Sequence, residues 1–394
     1  MTNKNNQTKS NYIKTLSLET FVFPILLIGF FSLFAFQMGL ANTLNTMMNT
    51  AYQLLIDTVL YITAVCVIMG AVSSLVSEFG FVSLADKVLQ PLMKPIYGLP
   101  GAASLGVITT FLSDNPAILA LAEDHHFQSF FKKHQFFALT NLGTAFGMGL
   151  IVCTYMYSLS PMIGESLASA VFIGLLGALL GSIVSTRIML MFTKKEFGTS
   201  EPMTNKLDSE HEIPENMRPI RTGGYGSRMM AALLEGGHSG VRMGISIIPG
   251  VLIICTFVMM LINGPSSNGT YTGSAYEGIR LLPILAEKVN FIIRPLFGFT
   301  SPEAIGVPVT ALGAAGASLS ITATLVRNHL VSVSDIAVFT AMCMCWSGYL
   351  STHASMMDSL GCKNLIGKAI LSHTIGGLVA GISAHWLYVL ITLL

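Results

Sequence analysis

The chain has 394 residues, of which 52% are apolar and only 10% charged, with a formal net charge of +1. A soluble domain carries roughly 25% charged residues, so a fold this long and this poor in charge lacks the polar surface to cover itself and belongs in a bilayer. Near-neutrality excludes the basic stripe that a nucleic-acid partner requires.

In chain order, a polar tail containing Lys4, Lys9 and Lys14 precedes the first apolar run, near 20–40. No small-residue cleavage site follows it, so the run is expected to be an anchor helix rather than a removed signal peptide. Further runs of the roughly 20 residues needed to span fall near 54–79, 135–160, 164–192, 243–263, 334–358 and 366–393, giving seven full crossings. Two more stretches, 99–123 and 299–328, are broken at their centres by Ser113-Asp114-Asn115-Pro116 and by Gly313-Ala314-Ala315-Gly316. Each is expected to form two half-helices around a turn. The segments before them, 81–97 and 281–297, mix charged with apolar residues and suit amphipathic helices lying in the interface. Residues 194–227 are the long hydrophilic stretch, taken as a cytoplasmic linker mostly without regular structure, followed by a short amphipathic helix near 228–242.

A repeat runs through this pattern. Pro95, Gly98, Gly106, Val107, Thr110, Leu112, Ala117, Leu119 and Thr140 recur without a gap as Pro295, Gly298, Gly306, Val307, Thr310, Leu312, Ala317, Leu319 and Thr340. Duplication of a Gly- and Pro-interrupted apolar unit is a sign of a secondary transporter with its site between the repeats. The expected organisation is a tail and anchor (1–53), a first repeat (54–193), the linker (194–227) and a second repeat (228–394). If both interrupted stretches are re-entrant hairpins, three crossings separate the repeats, which are then inverted. With the N-terminus inside, only Arg280, Lys288, Arg294 and Arg327 of the 21 basic residues fall outside. The positive-inside rule favours that distribution. The expected fold is thus an all-α integral membrane protein of two inverted repeats.

A broken helix at membrane depth persists only where it is buried in protein or lines a polar cavity, since unpaired backbone groups in hydrocarbon cost several kcal/mol. Both tips are therefore candidate site walls. At the first, Ser113, Asp114 and Asn115 can cap the second half-helix or bind a solute, and Asp114 can also neutralise a cation. At the second, Gly313 and Gly316 allow close backbone approach, and Ser318 and Ser320 offer hydroxyls. After the first hairpin, Thr140, Asn141 and Thr144 can supply oxygens to a coupling Na⁺, or serve as hydrogen bonds between helices. His353, His373 and His385 lie in apolar spans and are satisfied core residues or, if H⁺ is the coupling ion, proton carriers. The six cysteines show no metal or redox spacing and fit as small core residues. No Walker A, GxSxG or HExxH pattern occurs, so an ATPase, a hydrolase and a zinc enzyme have no support.

With these features in view, the chain resembles the gate-domain or nucleoside-recognition family of bacterial membrane proteins. That family includes the spore maturation membrane proteins and shares its gate domain with concentrative nucleoside transporters and ferrous-iron permeases. Phe111-Leu112-Ser113-Asp114-Asn115-Pro116-Ala117 is similar to the first hairpin tip of the nucleoside transporters, although the order of polar residues differs and the proline is shifted. Gly98-Leu99-Pro100-Gly101 and the segment 235–249 resemble motifs of paired small proteins in the group, here fused. The resemblance implies a cytoplasmic (inner) membrane location and a cation-coupled carrier of a small polar solute, nucleoside-like, without a bound cofactor. A homo-oligomer is compatible with it. The competing readings are a non-transporting assembly or signalling component and a metal-ion permease. The latter is disfavoured by the lack of clustered Cys, Met or carboxylate ligands at either tip.

Overall fold

The computed structural model describes residues 15–115, 117–122, 125–203, 220–266 and 268–393. Within them the chain is nearly all helix, with a single isolated β-bridge between Lys132 and Pro202. Seven helical stretches are long and apolar enough to cross a membrane: Leu18–Met38, Leu40–Glu78, Lys133–Ile163, Ala168–Phe197, Tyr225–Ile262, Val333–Ser359 and Lys363–Leu393. Gly39, at φ +78°, ends the first of these. The next helix therefore starts at Leu40 and runs through a π-helical segment at Leu54–Val59 to Glu78. Likewise the expected amphipathic helix 228–242 is no separate element; it is the first part of the span Tyr225–Ile262.

Both interrupted stretches double back. In the first hairpin, Ala103–Leu112 packs on Ala117–Ala122, and a Cβ added to Gly106 would lie 2.5 Å from Ile118 Cδ1. In the second, Gly306–Ala311 packs on Ala315–Arg327, where Gly306 faces Ile321. Glycine at 106 lets the first pair of half-helices lie this close, whereas a Cβ at 306 would meet Ile262 Cδ1 at 2.1 Å and Ile321 only at 3.8 Å, so that glycine makes room for the helix ending at Ile262.

The long helices pair through glycine seams. Gly70 meets Gly236 and Gly240, Cys66 meets Gly240, and Thr63 meets Gly244, so 60–78 and 225–246 run antiparallel. Gly177 meets Ala380 and Ala384, and Gly181 meets Gly376, so Ala168–Phe197 and Ile366–Leu393 also run antiparallel. In lipid there is no hydrophobic drive to bring helices together, and close backbone packing of small residues supplies the association instead. Each seam joins one helix from before the linker to one from after it.

The linker is more ordered at its ends than its composition implies. Residues 194–197 continue the helix Ala168–Phe197, and the main chain of Glu201 and Met203 bonds to Lys133 and Phe131. Residues 204–219 lie outside the described residues. Beyond them Arg221 and Arg228 converge on the nearly buried Glu78, at 2.6 and 2.7 Å, and Arg221 also reaches Glu235 at 2.6 Å.

Candidate functional site

Each hairpin is followed by a helix that is itself broken, which the sequence reading took as a continuous crossing. The first runs Lys133–Thr144, unwinds over 145–148 and resumes at Gly149–Ser158, with Met148 at φ +54°. The second runs Val333–Trp346, turns at Ser347 and Gly348 (φ +39° and +70°) and resumes at Tyr349–Ser359. The breaks occupy equivalent places in the two repeats. The available signal was the glycine content, Gly147 and Gly149 in one and Gly348 in the other, inside runs otherwise apolar enough to mask it.

The tip of the first hairpin sits on both breaks. Asn115, 3% exposed, donates from Nδ2 to Ser347 O at 2.9 Å, and Ser347 Oγ donates to Gly147 O at 3.3 Å. Gly147 lacks the Cβ that would fall 1.7 Å from Asn115 Oδ1. The second tip meets the second break: Gly348 N–H donates to Ala311 O at 2.8 Å, and Gly348 packs on Gly313 and Ala314. Ser347 and Gly147 are themselves equivalent positions of the repeat and bond to each other.

The polar residues divide by what their atoms already hold. Asp114 Oδ1 accepts the Asn115 N–H at 2.7 Å, and among the described residues no N–H of the half-helix Ala117–Ala122 bonds to its carboxylate. Asn115 Oδ1, Asn141 Oδ1 and Thr144 Oγ1 are buried without a partner. These are the oxygens available to a cation, and buried polar atoms left bare need a partner such as water or an ion. Thr140 is committed to Phe137 O, Ser318 to Ala315 O and to the Cys343 thiol, and Ser320 to Gly316 O. Gly316 packs against Ile247 and Gly313 against Ile254, so these glycines face helix rather than an open cavity. Among the described residues no three His, Cys, Asp or Glu side chains gather as a metal site.

A directed chain of hydrogen bonds links the two broken helices from behind. Asn141 Nδ2 donates to Ser185 Oγ at 3.0 Å, the Ser185 hydroxyl pairs with His373 Nδ1 at 2.9 Å, and His373 Nε2 lies 2.5 Å from Cys345 O. A carbonyl only accepts, so Nε2 carries the proton, Nδ1 accepts, and the serine donates. Cys345 O is one of the last carbonyls before the break, which have no partner within their own helix, and His373 supplies it. His353 stacks edge-on to His373 at 4.7 Å, with neither ring nitrogen partnered. Among the described residues no carboxylate is paired with either ring, which leaves an imidazolium there without a counter-ion. His134 is buried at the start of the helix Lys133–Thr144, where its carbonyl accepts from Thr193 Oγ1 at 2.8 Å.

A cavity of about 220 Å³ reaches the first tip at Ser113, between the helices 60–78 and 225–246. Ser73, Ser74, Ser239, Glu235 and Arg242 give it a polar wall, with Cys66 beside them. Arg221 bonds to two of these lining residues, Ser74 Oγ at 3.4 Å and Glu235 at 2.6 Å.

No protein-family model matches the chain, and no curated protein matches it. Solved structures do. A doubly substituted form of CNTnw, a concentrative nucleoside transporter, in an outward-facing state aligns with TM-score 0.53 at 13% identity, over 94% of this chain and 85% of that one. A second outward-facing form aligns at TM-score 0.50 and 15% identity (84% and 75%), and a form in an intermediate state at TM-score 0.50 and 15% identity (82% and 75%). At these identities the likeness is one of fold: the chain has an all-helical membrane fold of the kind seen in CNTnw.

Proposed function

We infer that the chain is a secondary membrane transporter of a small polar organic solute, with the site where the two hairpin tips meet the two helix breaks. The observation that carries this is Asn115, which ties the first tip to the breaks of both repeats at once while its Oδ1 remains free. Broken backbone at membrane depth, gathered around bare oxygens and reached by a polar cavity, is the arrangement of a carrier site rather than a scaffold. Under the charge-derived topology the hairpins are re-entrant from opposite sides, the repeats are inverted, and the cavity at Ser113 opens to the cytoplasm.

Asn115 has committed its amide donors to Ser347, so it offers a solute an acceptor, and Asp114 offers a carboxylate. The complementary solute presents hydroxyls or N–H groups, as a nucleoside does, and the likeness to CNTnw supports that class. Asn141 and Thr144 supply oxygens for a coupling cation; Na⁺ fits that donor set better than H⁺, since the histidine pair lacks a counter-ion.

A thermal-shift screen of the purified protein against nucleosides, bases and amino acids tests the reading. A ligand at a hundred times its dissociation constant stabilises by about 2.7 kcal/mol. The expected hit depends on Asp114. If no solute stabilises the protein and reconstituted vesicles take up none of them, the assembly-component reading takes its place.

A further inference from the structure

On the far side of the molecule from Ser113, a second cavity of about 370 Å³ lies between the loop after Ile262 and the foot of the second hairpin. Its polar lining comes from Asn263, Thr324, Arg327 and Asn328, with Tyr276 as one wall. We propose that this cavity is an oxyanion site on the outer face, taking the carboxylate or phosphate of a small molecule through the Arg327 guanidinium and the Asn263 and Asn328 amides.

The donors are uncommitted. Arg327 makes no ion pair or hydrogen bond among the described residues, whereas its neighbour Arg280 is held by Glu303 at 3.0 Å. Among the described residues the Asn263 amide has only the Met259 sulfur, at 3.8 Å, and the exposed Asn328 has no side-chain partner. A guanidinium presents five donors in a planar fork and accepts nothing, and each amide adds two donors beside its acceptor oxygen, so the excess of donors in the lining comes from Arg327.

No carboxylate lines the cavity to absorb them. Glu277, the acid of the adjoining loop, is 3% exposed and is held by the Thr272 and Gly273 amides at 3.1 and 3.0 Å and by the Thr272 hydroxyl at 2.8 Å. Asp57, whose field reaches Tyr276, makes no ion pair among the described residues. Bidentate carboxylates and phosphates are the groups that match a free guanidinium fork. The wall itself is held in place: Tyr276 adopts φ +64° and donates its N–H to Thr50 Oγ1 at 2.9 Å.

Arg327 also closes the last turn of the helix Ala315–Arg327, where a cation is favoured by the helix dipole alone. A dipole accounts for a charge at that position but not for two uncommitted asparagine amides beside it. Nine residues separate Arg327 from Ser318, or ~14 Å along the helix axis, so this site is distinct from the tips. It stands whether or not the chain transports.

The test is direct binding, by thermal shift and calorimetry, of the full chain in nanodiscs of phosphatidylcholine, with succinate and inorganic phosphate as probes. Saturable binding is expected. Arg327→Gln should weaken it by about tenfold or more, the usual worth of a charged hydrogen bond, while the ligand-free protein loses no more stability than the weak helix-dipole interaction at an exposed position supplies. Arg294→Gln, an exposed arginine elsewhere on the same face, should change the dissociation constant less than about twofold. If neither probe binds saturably, or if both variants weaken binding equally, the site is overturned. Repeating the titration in discs containing phosphatidylglycerol separates two sources of the oxyanion. Competition by the lipid, lost in Arg327→Gln, supports the site and makes a headgroup phosphate its occupant; unchanged affinity makes the occupant a soluble anion. A failure of uptake alone leaves this binding intact.

Discussion

Replacing Gly147 with alanine isolates the junction of the first tip and the two breaks. The new Cβ would fall 1.7 Å from Asn115 Oδ1, 2.6 Å from Asn115 Cγ and 2.8 Å from Ser347 Oγ. All three distances are below van der Waals contact, so Asn115 must leave. Gly147 is not in the left-handed region, so backbone strain adds nothing. Overpacking of a tight interior costs about 1–3 kcal/mol, and stranding the Ser347 carbonyl adds about 1–3 kcal/mol. A loss of about 2–6 kcal/mol is expected, read as a shift of the SDS-induced unfolding equilibrium. Gly29→Ala, with no atom within 4 Å, is the control and should be neutral. The diagnostic is a double-mutant cycle: after Asn115→Ala two of the three clashing atoms are gone, so Gly147→Ala should cost at least about 1 kcal/mol less. Additive costs would refute the claim that the tip packs on the break.

Asp114→Asn should abolish or uncouple uptake at unchanged protein level, since among the described residues no N–H of the half-helix Ala117–Ala122 bonds to the carboxylate; normal uptake with unchanged ion dependence would remove Asp114 from the site. Gly240→Ala places a Cβ 2.2 Å from the Cys66 carbonyl, backbone that cannot yield, whereas Gly237→Ala meets only Val67 Cγ1 at 3.8 Å. The first should destabilise by about 1–3 kcal/mol or more and the second by less than 1, and equal melting temperatures would contradict the seam. Thr270→Cys should react with an impermeant thiol reagent applied to intact cells and Ser200→Cys should not; the reverse pattern would invert the topology. Replacing His373 with phenylalanine strands the Cys345 carbonyl and should cost about 1–3 kcal/mol, whereas His353→Phe, which breaks no hydrogen bond, should cost less in the same unfolding assay.

What the sequence made legible follows from how strongly each feature perturbs an apolar background. Both hairpins were visible because Ser113-Asp114-Asn115-Pro116 and Gly313-Ala314-Ala315-Gly316 interrupt long apolar runs, and seven spans emerged from hydropathy alone. The helix breaks were not visible: Phe146-Gly147-Met148-Gly149 and Trp346-Ser347-Gly348 carry little polarity, and their backbone is met by distant residues, Ser347 at the first and Asn115 and Ala311 at the second. That same dependence on distant partners hid the role of Asn115. Its neighbour Asp114 drew attention through its charge, while the amide was the group that joined the repeats. His373 was singled out for its titratable ring, and its use turned out to be a hydrogen bond to an orphaned carbonyl. Spacing along the chain cannot show where such a carbonyl lies.

The glycine seams bear on how the protein is made. Gly70 and Gly181 have as partners Gly236 and Gly376, which leave the ribosome only after the linker has been synthesised. Until then the early helices must wait in lipid with backbone grooves uncovered, open to chaperones, to quality-control proteases or to a neighbouring chain's matching groove. Cutting the gene within 204–219 and co-producing the halves would therefore yield two fragments whose seams are complementary, so that each half acts as the other's assembly factor.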